Sequence, residues 1–202
     1  MHALAVSAAL LTGLAAAAPA PSPTNDVAAA AVPTLVDGWY FVRAVVEPNF
    51  HSYLQAESQP TATPSPSPAA EEADAILDVP ELAGQFNIVD GQLVFNTAAS
   101  SSSSSTQAEG ELYMHVEQSS ETPVPRKLRT WFSAEKNDYG EFVFQGDTVT
   151  WRVEGLQRPN EAAWLVCEEQ KLFVNTGAYG YETPEGCADQ TIHSYGGSTP
   201  DV

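Results

Sequence analysis

An Asp-Gly pair at the centre of ten residues constrains this chain more than any other feature. In Phe86-Asn87-Ile88-Val89-Asp90-Gly91-Gln92-Leu93-Val94-Phe95 apolar residues alternate on both sides of Asp90-Gly91. Both residues of a type I′ turn need positive φ, and Asp-Gly meets that need at little steric cost. Closing the turn there pairs Ile88 with Leu93 and Phe86 with Phe95, all on one face. A register slip of one residue would break that face, so the sequence specifies both strands and their pairing.

The pattern recurs at Phe142-Val143-Phe144-Gln145-Gly146-Asp147-Thr148-Val149-Thr150-Trp151, where Gly at the first turn position suits type II′. This register sets Phe144 against Val149 and Phe142 against Trp151, and turns Thr148, Thr150 and Arg152 toward a wetter face. Further strands are expected at Trp39 to Val46, His51 to Gln55, Leu112 to Val116, Leu128 to Phe132, Ala163 to Cys167 and Leu172 to Val174. Ala69 to Leu77 reads as helical, with Glu71, Glu72 and Asp74 in a first turn. About eight to ten short strands with turn signals between them predict an all-β fold, an antiparallel sandwich or barrel built from hairpins.

Residues 1–17 read as a secretory signal peptide. Ala3 to Ala18 is almost wholly Ala, Leu and Val, and Ala15-Ala16-Ala17 suits cleavage. The apolar stretch is shorter than the roughly 20 residues that span a bilayer. Residues 18–33 form an Ala/Pro-rich leader, and 34–202 a single β-rich domain with flexible insertions near 59–70 and 97–107. The first insertion is rich in Ser, Thr and Pro, the composition of an O-glycosylation substrate, and the second contains the run Ser100 to Ser105. The polar tail from Gly196 argues against a GPI signal. The expected product is secreted, extracellular or in a cell wall, and not lipid-anchored. In an oxidising compartment Cys167 and Cys187, the only two cysteines, are expected to pair.

Eight Lys and Arg against 26 Asp and Glu leave a formal charge of −18. That balance excludes nucleic acid and anionic membrane as partners, because both need a basic face. Catalytic motifs are thin. His51, His115 and His193 fall on separate expected elements, which gives no metal site and no cofactor. His193-Ser194 with Asp189 holds triad residue types, and Glu168-Glu169 is an acid pair in a turn. Tyr139, Tyr179 and Tyr181 lie in Gly-containing turns and are the candidate carbohydrate contacts, since sugar rings stack on aromatic faces. Trp39, Trp131, Trp151 and Trp164 are expected mostly in the core.

The spacing F-x-I-x-D-G-x-L from Phe86 to Leu93, followed by Phe144-Gln145-Gly146, Ala163-Trp164 and Cys187, resembles the secreted phialide-type cell-wall proteins of filamentous ascomycete fungi. The likeness spans roughly residues 84–187. It departs where Cys167 follows Trp164, since the first cysteine of that family precedes the tryptophan. The resemblance implies a small wall protein linked to spore-bearing cells and supplies no catalytic residues. Three functions follow in order: a non-catalytic wall or extracellular protein touching polysaccharide or wall proteins, a lectin-like carbohydrate-binding module, and a glycoside hydrolase using a carboxylate pair.

Overall fold

The computed structural model describes residues 32–57, 72–99 and 110–201. The expected signal peptide, most of the expected leader, the Pro-rich stretch and the serine run lie outside these residues.

Thirteen strands among the described residues carry the fold: β1 (Tyr40–Ala44), β2 (Tyr53–Ala56), β3 (Ala73–Asp78), β4 (Gln85–Val89), β5 (Gln92–Asn96), β6 (Glu111–Val116), β7 (Lys127–Ser133), β8 (Glu141–Gln145), β9 (Thr148–Arg152), β10 (Trp164–Val166), β11 (Leu172–Asn175), β12 (Ala188–Gln190) and β13 (Ile192–Tyr195). Seven of them close an antiparallel barrel in the order β1-β2-β3-β7-β6-β5-β4 and back to β1. The other edge of β1 continues into β13, β9 and β8, and β7 continues into β11, β10 and β12. Closure pairs both edges of the inner strands, and β8 and β12 are left as the outer edges.

Both hairpins take the expected register. Asp90 and Gly91 have φ of 51° and 76°, and Phe86 pairs with Phe95. Gly146 has φ of 65°, and Phe142 pairs with Trp151. Inside the barrel Phe86, Phe95 and Phe132 form a three-ring cluster with centroids 5.1–5.7 Å apart. Trp151 and Trp164 are wholly buried where the outer strands pack together, and the Trp164 indole donates to the Val149 carbonyl at 3.1 Å.

Four expectations are corrected. The stretch read as helical holds β3, because Ala73, Ala75 and Leu77 face the core while Asp74 points outward to Arg129 on β7 and to Lys171 just before β11. That is a period of two, and the acids belong to cross-strand pairs. β12 and β13 were not expected from sequence; both are short, and Asp189 and Gln190 break any apolar alternation. Thr150 is buried rather than wet, its hydroxyl donating to the Val143 carbonyl at 3.0 Å. Trp39 and Trp131 are half-buried and outside the core, and Trp39 lies before β1.

Cys167 and Cys187 form a disulfide. Val166 pairs with Ala188, so the two cysteines stand at the next position of the β10–β12 ladder. The insertions are anchored where the chain is described. Glu57 donates its amide to the Asp74 carbonyl at 2.8 Å, making the first insertion the β2–β3 connection. Thr97 is buried in a short 3-10 turn, and its hydroxyl oxygen accepts the Gly110 amide at 3.0 Å, closing the base of the second. No helix among the described residues is long and apolar enough to cross a membrane.

Candidate functional site

Strand alternation builds the surface of most chemical interest. On β7, Leu128, Thr130 and Phe132 point inward, so Lys127, Arg129, Trp131 and Ser133 share the outer face. On β6, Met114 and Val116 point inward, so Tyr113 and His115 face out. On β11, Leu172 and Val174 are buried, and Phe173 faces out. The register sets His115 beside Trp131, Tyr113 beside Ser133 and Phe173 beside Arg129. Four aromatic or heteroaromatic rings therefore run obliquely over three adjacent strands, over roughly 15 Å by strand geometry.

The rings are held. His115 and Trp131 stack with centroids 5.3 Å apart and planes 14° from parallel. The His115 Nε2 lies 2.9 Å from both the Glu135 carbonyl and the Ser133 hydroxyl, which fixes the imidazole in its plane. Cations sit against three of the rings: Arg129 is 5.0 Å from the Trp131 centroid, Lys127 5.1 Å from Phe173 and Lys136 5.8 Å from Tyr113.

At one end of the strip stands a charge network. Arg129 donates to Asp74 at 2.6 and 2.8 Å and to Glu72 at 3.0 Å. Lys171 reaches Asp74 at 3.2 Å and Glu169 at 2.7 Å. Burial opposes ionisation of Asp74, but hydrogen bonds and charge from Arg129 and Lys171 outweigh it and hold the carboxyl below its ordinary range. Lys171 is raised by its hydrogen bonds to Glu169 and Asp74. A small recess of about 210 Å³ opens here between Asp74, Arg129, Lys171 and Phe173.

The turn tyrosines divide between two places. Tyr139 is half-buried with its ring 5.7 Å from Trp151, packed against the core. Tyr179 and Tyr181 stand on the β11–β12 connection, 38% and 63% exposed. That loop is pinned from below: Arg126 donates to the Ala178 carbonyl at 2.7 Å and to that of Tyr181, and Thr183 donates to Asp189. Gly177 lies directly on Arg126; a Cβ there would come within 1.5 Å of Nη1 and would displace the guanidinium from its present place. Burial, then the nearby Asp189 carboxylate, pushes the Tyr179 phenol up.

The catalytic residue types found in sequence stay apart. His193 pairs with Asp147 at 3.2 Å, and the Ser194 hydroxyl donates to the Asp147 carbonyl at 3.1 Å. Asp189 accepts from Asn175 at 2.7 Å and from Thr183, away from His193. Glu168 and Glu169 lie in a 3-10 turn, with Glu169 committed to Lys171. His51, His115 and His193 sit at separate places, and no group of His, Cys, Asp and Glu among the described residues is arranged to hold a metal. Carboxylates do gather in a groove of about 580 Å³ lined by Glu141, Glu154, Glu161, Arg152 and Leu156, where the Arg152 fork holds Glu141 at 2.6 Å.

The aromatic strip was missed from sequence. Its signal was the alternation Lys127-x-Arg129-x-Trp131-x-Ser133 beside Tyr113-x-His115, which shows outward rings only once the inward parity is known. Comparison with protein-family models, characterised proteins and solved structures finds no match for the chain.

Proposed function

We propose that the protein is a non-catalytic extracellular or wall-associated protein that adheres to a neutral polysaccharide through the outer strip of Tyr113, His115, Trp131 and Phe173. The observation that carries this reading is the near-parallel His115–Trp131 stack at 5.3 Å, held in place on rigid strands. Partly exposed rings in a row, each flanked by a ring or a cation, offer apolar surface to the C–H groups of successive sugars. Rings already ordered before binding lose little side-chain entropy on contact. The charged groups beside them suit the hydroxyl rim of a sugar chain. Their signs are mixed: Lys127, Arg129, Lys136 and Lys171 stand among Glu72, Asp74, Glu117 and Glu169. The disulfide agrees with an oxidising compartment.

Tyr181 on the pinned loop is a second contact point, favoured by its exposure and by the clamp beneath it. The link to spore-bearing fungal cells rests on the motif resemblance alone and belongs to the same proposal. Sedimentation with insoluble chitin and β-glucan tests the reading. The protein is expected to pellet with at least one polymer and to release no reducing sugar from it. Protein left in the supernatant with both polymers, or steady sugar release, would refute the proposal.

A further inference from the structure

A second outward cluster lies on a different face, over β1, β2 and β13. Phe41 and Arg43 face out from β1, because Val42 and Ala44 belong to the core. Phe41 and Tyr53 are wholly buried even so, packed with Ala83, Leu35 and Tyr195. The two ends of the described chain close over them. Gln85, itself wholly buried, bonds the Val36 amide at 2.7 Å and the Thr34 carbonyl at 2.8 Å. The tail after β13 returns across the same face, where Leu35 donates its amide to the Ser198 carbonyl at 2.9 Å and Pro200 is buried.

Asp201 supplies the charged contact that holds the end of the tail. The Asp201 carboxylate accepts from Arg43 and from the Tyr53 hydroxyl, and the Asp201 amide donates to the Tyr53 oxygen at 2.9 Å. Every charged or titratable group facing it is a donor or a cation held nearby: Arg43 on β1, His51 at 3.9 Å on the β1–β2 connection, and Tyr53 on β2. Tyr195 on β13 lies under the guanidinium, 4.2 Å from its carbon. Protonating Asp201 would cancel the charge that Arg43 and His51 face and weaken the bonds it accepts from Arg43 and Tyr53. Asp201 is the one charged side chain in residues 196–201.

We propose that residues 196–201 form an acid-released strap over the outer cluster of Phe41, Tyr53 and Tyr195, with the Asp201 carboxylate as its pin. In neutral surroundings the strap is closed. In strong acid it lifts while the barrel stays folded, uncovering aromatic rings beside Arg43. Burial opposes ionisation of Asp201, but Arg43, Tyr53 and His51 outweigh it and hold the carboxyl below its ordinary range. A group depressed in the closed state contributes closure above its free pKa, and that contribution is lost as pH falls through the depressed value. Release is therefore expected below about pH 4, the ordinary aspartate range.

Amide hydrogen exchange on the whole protein reads the strap at one bond, the Leu35 amide held by Ser198. The protection factor of Leu35 should fall at least tenfold between about pH 6 and pH 2, while amides of β6 and β7 keep theirs. Asp201→Asn keeps the shape and removes the charge, so it should show the low Leu35 protection at both pH values. Full Leu35 protection in acid, or in Asp201→Asn at neutral pH, would overturn the proposal. So would an acid loss shared equally by β6 and β7, which is global unfolding.

Discussion

Arg158 is a residue whose weight only the fold reveals. Its guanidinium reaches four main-chain carbonyls, those of Trp151 at 2.6 Å, Asn175 at 2.9 Å, Glu161 at 3.1 Å and Ala163, and lies 5.7 Å from the Trp151 ring. Burial pulls its pKa down to about 10, with Glu161 partly offsetting the shift. Hydrogen bonds from a charged donor contribute more than neutral ones, and removal strands the carbonyls. Arg158→Ala should therefore cost about 2–4 kcal/mol in urea unfolding. Arg158→Lys should recover little of it, because an ammonium lacks the planar fork. A loss under 1 kcal/mol for Arg158→Ala would show that water replaces the clamp. In sequence Arg158 sits in an unremarkable turn, since its acceptors come from three separate segments. Asp90-Gly91 was legible for the opposite reason: its requirement is set by its own backbone and immediate neighbours.

At the scale of elements, β3 shows what local reading misses. Its acids look like a helical first turn until β7 and β11 bring Arg129 and Lys171 alongside Asp74. Tertiary pairing then overrides propensity. Asp74 has a depressed folded pKa, so its contribution is present above the ordinary aspartate range and lost as pH falls through the depressed value. Asp74→Asn should thus lower stability by about 1 kcal/mol at pH 7, a modest figure because Arg129 is partly exposed. The difference from wild type should vanish near pH 2, and a difference that persisted there would assign the effect to packing. The disulfide joining β10 to β12 was legible from cysteine count and compartment, although β12 was not. On the chain-entropy model its 20-residue separation is worth about 3 kcal/mol. Replacing both cysteines by serine should lower the urea midpoint accordingly, with a slope equal or somewhat steeper because the unfolded chain loses its crosslink. A shallower slope would mean that the β11–β12 loop had already lost its folded form.

Over the whole molecule, the hairpin signals led to the correct class, because alternation and turn chemistry are written locally. Closure of seven strands was not legible, since β1 and β7 each pair with three or more partners that no short window contains. The aromatic strip was hidden for the same reason: its four rings come from three strands spread over 61 positions, Tyr113 to Phe173. A charge of −18 on one domain stores self-repulsion that salt screens. Raising salt at pH 7 should increase the Tm by about 2–5 °C, and a fall would mean that the exposed ion pairs outweigh the net repulsion. The central claim is that Trp131 and its stacked neighbour form the polysaccharide platform. Its most direct measurement is the binding isotherm of a soluble oligosaccharide of the polymer that the protein sediments with, for wild type, Trp131→Ala and Trp131→Phe. Affinity should fall tenfold or more in Trp131→Ala, about 1.4 kcal/mol, and largely survive in Trp131→Phe, which keeps a ring. Unchanged affinity in a folded Trp131→Ala protein would contradict the account.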